Sequence, residues 1–478
     1  MVQMVRDGAI SPVELVEAHL RQIEARNPAL NAFVSVFAER ARTEAREREA
    51  AMGRGAMLGL LHGVPLTVKD SFDIAGQPTA AGCRLRDGHR AANDAAAVAR
   101  LRAEGAILLG RTNTPEMLAS YETDNFITGR TNNPWDLDRT AGGSSGGEAA
   151  AIAAFCSPGG IASDGGGSIR VPAHFCGIAG LKPTPGRIPA TGHYPALGYP
   201  GGLTTVVGPM ARTARDLRLL FSALASFDAQ DPFSVPVPLG ASGSLSASRS
   251  QPVRIGVWEQ FYQVPVHAAI RDGVRKAARM LAAIGLCVDD FQPAGLERAP
   301  NVWGFLFAQW PQIATRKMFD GREEELHWTL RESLTEHQPT AEQALLNLAA
   351  RDRMRASLLR QMENVSAILM PACGVPAFAH RQRQWEIDGK SVGLFQVMMP
   401  AVLANVLGLP AVTIPVTLSE EGLPVGVQLV GRPYEDELLL DLAVRLEEAR
   451  GPWTGPLTAG SGTAARPRTD AGGSEGPQ

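Results

Sequence analysis

The chain of 478 residues is poor in several things, and each shortage removes a class of protein. Its formal net charge is only −3, so no basic field exists to hold nucleic acid. Its five cysteines (Cys83, Cys156, Cys176, Cys287, Cys373) form no CxxC pair and stand in no Cys/His cluster, which argues against a disulfide scaffold and against structural zinc. The nine histidines contain no HExxH spacing. The opening residues, MVQMVRDGAISPVE, lack the apolar core of a secretory leader. The most membrane-like stretch, Met398 to Val416, is interrupted by Pro400, Asn405, Pro410 and Pro415, and reads as a buried helix followed by a core strand. A cytoplasmic protein without a membrane span is therefore expected. Lysine is the scarcest charge: five (Lys69, Lys182, Lys276, Lys317, Lys390) among 46 basic residues. Arginine stays protonated whereas lysine can lose its proton when buried, so a lysine in an apolar context stands out.

What is present is an ordinary globular balance, 45% apolar and 20% charged, with chain enough for a large core. Ser11-Pro12-Val13-Glu14 is a capping box with proline at the first helical position, and Val16, Leu20 and Ile23 follow on one face. Further helices are expected over 36–51, 93–104, 213–225, 267–284 and 435–450. Strands are expected over 60–68, 106–109, 253–257, 367–370, 411–416 and 425–430. The alternation predicts an α/β layered fold. Residues 239–251 (LGASGSLSASRSQ) read as a flexible insert, and 454–478 as a disordered tail. The segment 129–190 is so dense in glycine and proline that irregular structure is expected there. Ordering glycine costs about 0.5–1 kcal/mol relative to alanine, and such density usually marks places where main chain approaches something closely.

Three short stretches could carry chemistry. Asp164-Gly165-Gly166-Gly167-Ser168 could turn its N–H groups toward one point beside a serine, an oxyanion hole next to a nucleophile, although a glycine turn with a surface serine satisfies the same pentapeptide. Gly142-Gly143-Ser144-Ser145-Gly146-Gly147 matches the nucleophile elbow G-x-S-x-G, but Asn132 to Asp138 ahead of it cannot be the apolar strand an elbow requires. A phosphate cradle there lacks G-K-[ST] and has the acidic Glu148 where phosphate would sit. Lys69 ends the apolar run Leu60 to Val68. As a base it must be neutral, so burial must pull its pKa down from about 10.4, with Asp70 turned to the opposite face of the extended chain. No histidine pairs with these loops by pattern. A lysine acting through a bridging serine would serve in its place.

The run GGSSGGEAAAIAAFCSPGGIASDGGGSIRVPAHFCGIAGLKPT resembles the signature of the amidase signature family, and LHGVPLTVKDSFD resembles that family's catalytic-lysine segment. SPVELVEAHLRQIEARNPALNAFV, ANVLGLPAVTIPV and GLPVGVQLVGRP resemble its opening helix and closing strands, so the likeness runs from about residue 5 to 450. The resemblance implies a single α/β/α layered domain, residues 1–453, around a large mixed sheet of about ten strands. It implies hydrolysis of a non-peptide carboxylic amide with neither metal nor organic cofactor. Ser168 would be the acyl-accepting nucleophile; Ser144, on a cis peptide after Gly143, the proton shuttle; and Lys69 the general base and then acid. The N–H groups of Gly165, Gly166, Gly167 and Ser168 would hold the oxyanion, with Asp164, Arg170 and Ser145 in support. Gly165 departs from the family, which often has threonine or isoleucine there, leaving a looser loop or room for a bulkier acyl group. Specificity is expected from 120–128, 191–203 and 301–340, which hold Tyr121, Tyr194, Tyr199, Trp303, Phe305, Phe307 and Trp310. The expected partner is a small amide, with no nucleic acid and with a homodimer open. Two alternatives differ in kind: the glutaminase subunit of a tRNA-dependent amidotransferase, which needs partner subunits, and a non-catalytic phosphate or nucleotide binder.

Overall fold

The apolar runs assemble into one twisted mixed sheet. The computed structural model describes residues 1–55, 58–240, 252–332, 334 and 338–456. Its strands are β1 (Phe33–Val36), β2 (Pro65–Lys69), β3 (Ile107–Thr112), β4 (Asn132–Asn133), β5 (Asp136–Thr140), β6 (Gly159–Asp164), β7 (Ala179–Lys182), β8 (Val206–Ala211), β9 (Arg254–Val257), β10 (Cys287–Asp290), β11 (Ala367–Pro371), β12 (Gln384–Ile387), β13 (Lys390–Gly393), β14 (Ala411–Leu418) and β15 (Pro424–Gly431). Eleven of them form the sheet in the order β1-β3-β2-β6-β8-β7-β14-β15-β11-β9-β10, while β4–β5 and β12–β13 are small separate ladders. The pairs β2–β3, β2–β6, β9–β10 and β9–β11 are parallel and the other neighbours antiparallel.

Helices cover both faces, as a fully buried sheet requires. Leu66, Val68, Leu108, Ile161, Leu181, Leu369, Val412 and Leu429 pack on one face under the helices Ala96–Ala103, Ala214–Leu224, Ala268–Ala283 and Asp436–Arg450. Ile107, Leu109, Ala162 and Met210 face the other way, toward Pro12–Leu30, Ala38–Gly53 and Gly146–Ala153. The pleat sends Thr67 and Lys69 opposite to Leu66 and Val68, and so toward helix Gly146–Ala153. The Ser11 capping box is present in both directions, with Glu14 N–H to Ser11 Oγ at 3.1 Å and Ser11 N–H to Glu14 Oε2 at 2.8 Å. Helix Leu394–Val406 leads into β14 as expected, and no described helix is long and apolar enough to cross a membrane. The expected insert lies outside the described residues over 241–251, and the expected tail over 457–478.

Residues 129–190 correct the expectation of irregularity. They contain helix Gly146–Ala153, β6, helix Arg170–Cys176 and β7, all buried. In this segment glycine lets regular elements approach one another rather than breaking them. A Cβ on Gly160 of β6 would stand 2.2 Å from the Thr67 carbonyl oxygen on β2 and 2.2 Å from Glu148 Oε1. One on Gly147 would stand 2.4 Å from the Asn113 nitrogen. Gly160→Ala is therefore expected to push β2 and β6 apart and to cost about 1–3 kcal/mol of stability, read as a lower midpoint in denaturant titration.

Candidate active site

Three chain segments meet at the carboxyl ends of the parallel strands β2 and β6. Lys69 closes β2, Ser144 and Ser145 precede helix Gly146–Ala153, and β6 runs through Ser163 and Asp164 into Gly165–Ser168 and helix Arg170–Cys176. Lys69 Nζ lies 2.8 Å from Ser144 Oγ and 3.3 Å from Ser163 Oγ. The Gly143–Ser144 peptide is cis. Ser145 ties the segments together: its N–H donates to the Ser168 carbonyl (3.2 Å) and its hydroxyl to the Ser163 carbonyl (3.4 Å). Lys69 and Ser144 are buried, while Ser168 keeps 7% of its surface open to solvent. Among the described residues nothing hydrogen-bonds the Ser168 hydroxyl. Asp70 faces away, paired with Arg111 at 2.8 Å.

The glycine loop owes its shape to Asp164. Its Oδ1 accepts from the Gly167 N–H (2.8 Å), and its Oδ2 from the N–H groups of Ile169 (3.1 Å) and Arg170 (3.3 Å). Gly167 is therefore a correction. Its N–H is spent on Asp164, which leaves Gly165, Gly166 and Ser168 as the expected oxyanion donors whose N–H groups have no partner among the described residues. Gly167 also sits at φ +109°, where a Cβ would reach 2.8 Å from that of Ala401.

Two side chains absent from the expected catalytic set hold the loop's carbonyls. The Trp303 indole N–H donates to the Gly165 carbonyl at 2.7 Å, and the Tyr121 hydroxyl to the Gly166 carbonyl at 2.8 Å. In a trans peptide the carbonyl and the following N–H point opposite ways, so pinning the Gly165 carbonyl aims the Gly166 N–H to the other side. The space beside Gly165 is neither slack nor vacant. A Cβ there would fall 2.4 Å from the Phe307 ring and 2.5 Å from Thr205 Oγ1. Phe307 stacks on Trp303 (centroids 4.9 Å, 15°), and Trp303 stacks in turn on the more exposed Phe395 (5.9 Å, 22°). Helix Ala299–Trp303 continues into a π-helical turn over Gly304–Gln309, where the Trp310 N–H reaches back five residues to the Phe305 carbonyl (2.9 Å). That turn carries Phe307 back against Trp303 and the loop.

Burial dominates the electrostatics. It pulls the Lys69 amine down to about 7, against the smaller upward pull of Asp164 and Glu148, so neutral amine is accessible near neutrality. Burial likewise pushes the Glu148 carboxyl up to about 7, opposed by the hydroxyls of Thr67 (2.5 Å) and Thr112 (2.7 Å), which occupy both its oxygens. Burial would also raise Asp164, but Arg170 outweighs it, with help from Asn405 and Lys182, and holds the carboxyl well below the usual range. Arg170 meets Asp164 through Nε (3.0 Å) and Nη2 (2.9 Å), and spends its remaining donors on the Ala401 carbonyl, Gln428 Oε1 and Asn405 Oδ1. No group of three His, Cys, Asp or Glu side chains that could hold a metal stands together among the described residues.

Comparison with known proteins matches residues 14–440 to the amidase family. The chain is 34% identical to an indoleacetamide hydrolase of Bradyrhizobium diazoefficiens, covering 94% of this chain and 85% of that one. It is 30% identical to a glutamyl-tRNA(Gln) amidotransferase subunit of Coxiella burnetii, over 93% and 95% of the two chains. The crystal structure of a bacterial aryl acylamidase of the amidase signature enzymes superposes with a TM-score of 0.85 at 28% identity, covering 97% of this chain and 98% of that one.

Asp164→Asn would leave the Arg170 guanidinium buried without its counter-charge, and is expected to cost about 3–5 kcal/mol in urea unfolding. Because folding lowers the Asp164 pKa, its contribution is present above the ordinary carboxylate range and is lost as pH falls through the folded value. The gap between wild type and variant should therefore narrow in acid.

Proposed function

The chain belongs to the amidase family and hydrolyses carboxylic amides, and from that premise we propose how its residues do so. The reaction runs through an acyl-enzyme on Ser168. Neutral Lys69 takes the Ser144 hydroxyl proton as Ser144 takes that of Ser168, and Ser168 Oγ attacks the amide carbon. The N–H groups of Gly165, Gly166 and Ser168 receive the charge on the carbonyl oxygen, an arrangement worth about 2.7–4 kcal/mol of barrier per donor. The proton returns from Lys69 through Ser144 to the leaving nitrogen, the C–N bond breaks and the amine or ammonia departs. Water then attacks the acyl carbon, giving a proton through Ser144 to Lys69; the C–O bond to Ser168 breaks, the proton returns from Lys69 through Ser144 to Ser168 Oγ, and the acid leaves as its carboxylate. The observation that carries this reading is the 2.8 Å contact between the Ser144 hydroxyl and a buried lysine amine that burial holds near neutrality.

The substrate class we propose is a non-peptide amide with a flat aryl group in its acyl part. The stack of Phe307, Trp303 and Phe395 beside the glycine loop supports it, as does the 34% identity to an indoleacetamide hydrolase. Five unpaired cysteines fit a reducing, cytoplasmic setting. The enzyme acts without subunits of another kind, as a monomer or homodimer. Co-purification with stoichiometric foreign subunits and strict glutamine dependence would instead favour the amidotransferase role.

A fluorophosphonate probe is expected to label Ser168, located by mass spectrometry, while an adduct on Ser144 or Ser145 would overturn these roles. Lys69→Ala should slow labelling by about 10²–10⁴-fold. The lysine works as the neutral amine, so kcat/KM for indole-3-acetamide should level off above pH about 7 and fall tenfold per pH unit below it.

A further inference from the structure

Lys69 touches two hydroxyls, and the relay uses only one of them. The other belongs to Ser163, whose Oγ lies 3.3 Å from Lys69 Nζ and 2.9 Å from His193 Nε2. The opposite ring nitrogen, His193 Nδ1, lies 2.8 Å from the Pro195 carbonyl. We propose that His193 is a positioning residue for Lys69, acting through Ser163 to keep the lysine lone pair free for Ser144.

Proton bookkeeping supplies the reason. A carbonyl only accepts, so the Pro195 contact places the imidazole hydrogen on Nδ1 and leaves Nε2 a bare acceptor. Ser163 has one hydroxyl hydrogen, and Nε2 takes it. Toward Lys69, Ser163 can then only accept. A neutral amine has two hydrogens and one lone pair: one hydrogen goes to Ser163, and the lone pair stays turned to the Ser144 hydroxyl. If Ser163 were free to rotate, its O–H could donate to that lone pair and compete with the proton that the relay must move.

The fold holds the imidazole in place and uncharged. His193 and Phe72, three residues beyond Lys69, form an isolated β-bridge, and their rings meet edge to face at 5.1 Å. The Tyr194 N–H donates to the Ser71 carbonyl (2.7 Å) and the Asp73 N–H to the Gly192 carbonyl (2.9 Å). Burial, outweighing the Pro195 hydrogen bond and helped by Lys69, holds the ring down to about 3, so it stays neutral at any working pH. The charged groups around Lys69 are Asp164 from β6 and Glu148 from helix Gly146–Ala153, while Asp70 is turned to Arg111. The histidine acts on the direction of a hydrogen bond and not through charge.

The inference rests on Lys69 being the base, and the test separates the two. Second-order rates of Ser168 labelling by a fluorophosphonate are measured between pH 5.5 and 9.5 for wild type, Lys69→Ala, Ser163→Ala, His193→Phe, His193→Gln and the Ser163→Ala/His193→Phe double variant, each with its melting temperature. His193→Phe is expected to label more slowly, by up to about 10²-fold, the scale of loss from small misplacements of a reacting group. His193→Gln, whose side-chain carbonyl can accept from Ser163, should recover most of the rate. In the Ser163→Ala background His193→Phe should cost nothing further, because the hydroxyl it orients is gone. An undiminished rate in His193→Phe, or a full additional loss in the double variant, overturns the proposal even where Lys69→Ala is inert. A rate that survives in Lys69→Ala overturns the base assignment and this inference with it.

Discussion

An amine buried beside serine hydroxyls rather than carboxylates is the constraint on which the rest of the molecule turns. Lys69 reaches its position because β2 is flanked by parallel strands on both sides and ends where the sheet's other face opens toward helix Gly146–Ala153. Its carboxylate neighbour in the chain, Asp70, is drawn off by Arg111. Glu148 is near enough to be felt but has both oxygens bound by threonines. The amine thus keeps hydroxyl partners that can exchange protons with it, where a salt bridge would have locked it as a cation.

The second charge system does the reverse. Asp164, held ionised, and Arg170 are fully buried and saturated with partners, and their task is geometric. From one carboxylate the backbone of Gly167, Ile169 and Arg170 takes its orientation, and through Asn405 and Gln428 the same pair is anchored to helix Leu394–Val406 and β15. Trp303 and Tyr121 complete the loop from the opposite side by binding carbonyls. The proposed donors for a developing oxyanion are the amides these contacts leave over.

Much of this was legible in the chain because it is local. The capping box at Ser11, the amphipathic helices, the apolar strands and the serine–glycine and lysine segments each declare themselves within a dozen residues. What was not legible depends on contacts between distant positions. Nothing in the order of residues links Trp303 to Gly165, 138 positions away. His193 sits alone in a glycine- and proline-rich loop and reaches Ser163 only because that loop folds back on Phe72. Gly167 looked like one more donor, since a backbone amide's partner is invisible in a string of glycines. The density of glycine in 129–190 misled in the opposite direction, because close approach between regular elements and the absence of regular elements call for the same residue.

The π-helical turn over Gly304–Gln309 has a consequence for how such a pocket diversifies. A π turn carries one residue more than the α-helical turn it replaces. Loss of a single residue there would restore α winding and re-aim the side chains of the turn itself, while the chain beyond it keeps its place. Phe307 would leave the hollow beside Gly165, and that hollow would become free for a side chain at position 165 or for a larger acyl group. The wall next to the proposed nucleophile is thus adjustable by changes in chain length as well as by substitution, at a point that leaves Lys69, Ser144 and the Asp164–Arg170 pair untouched.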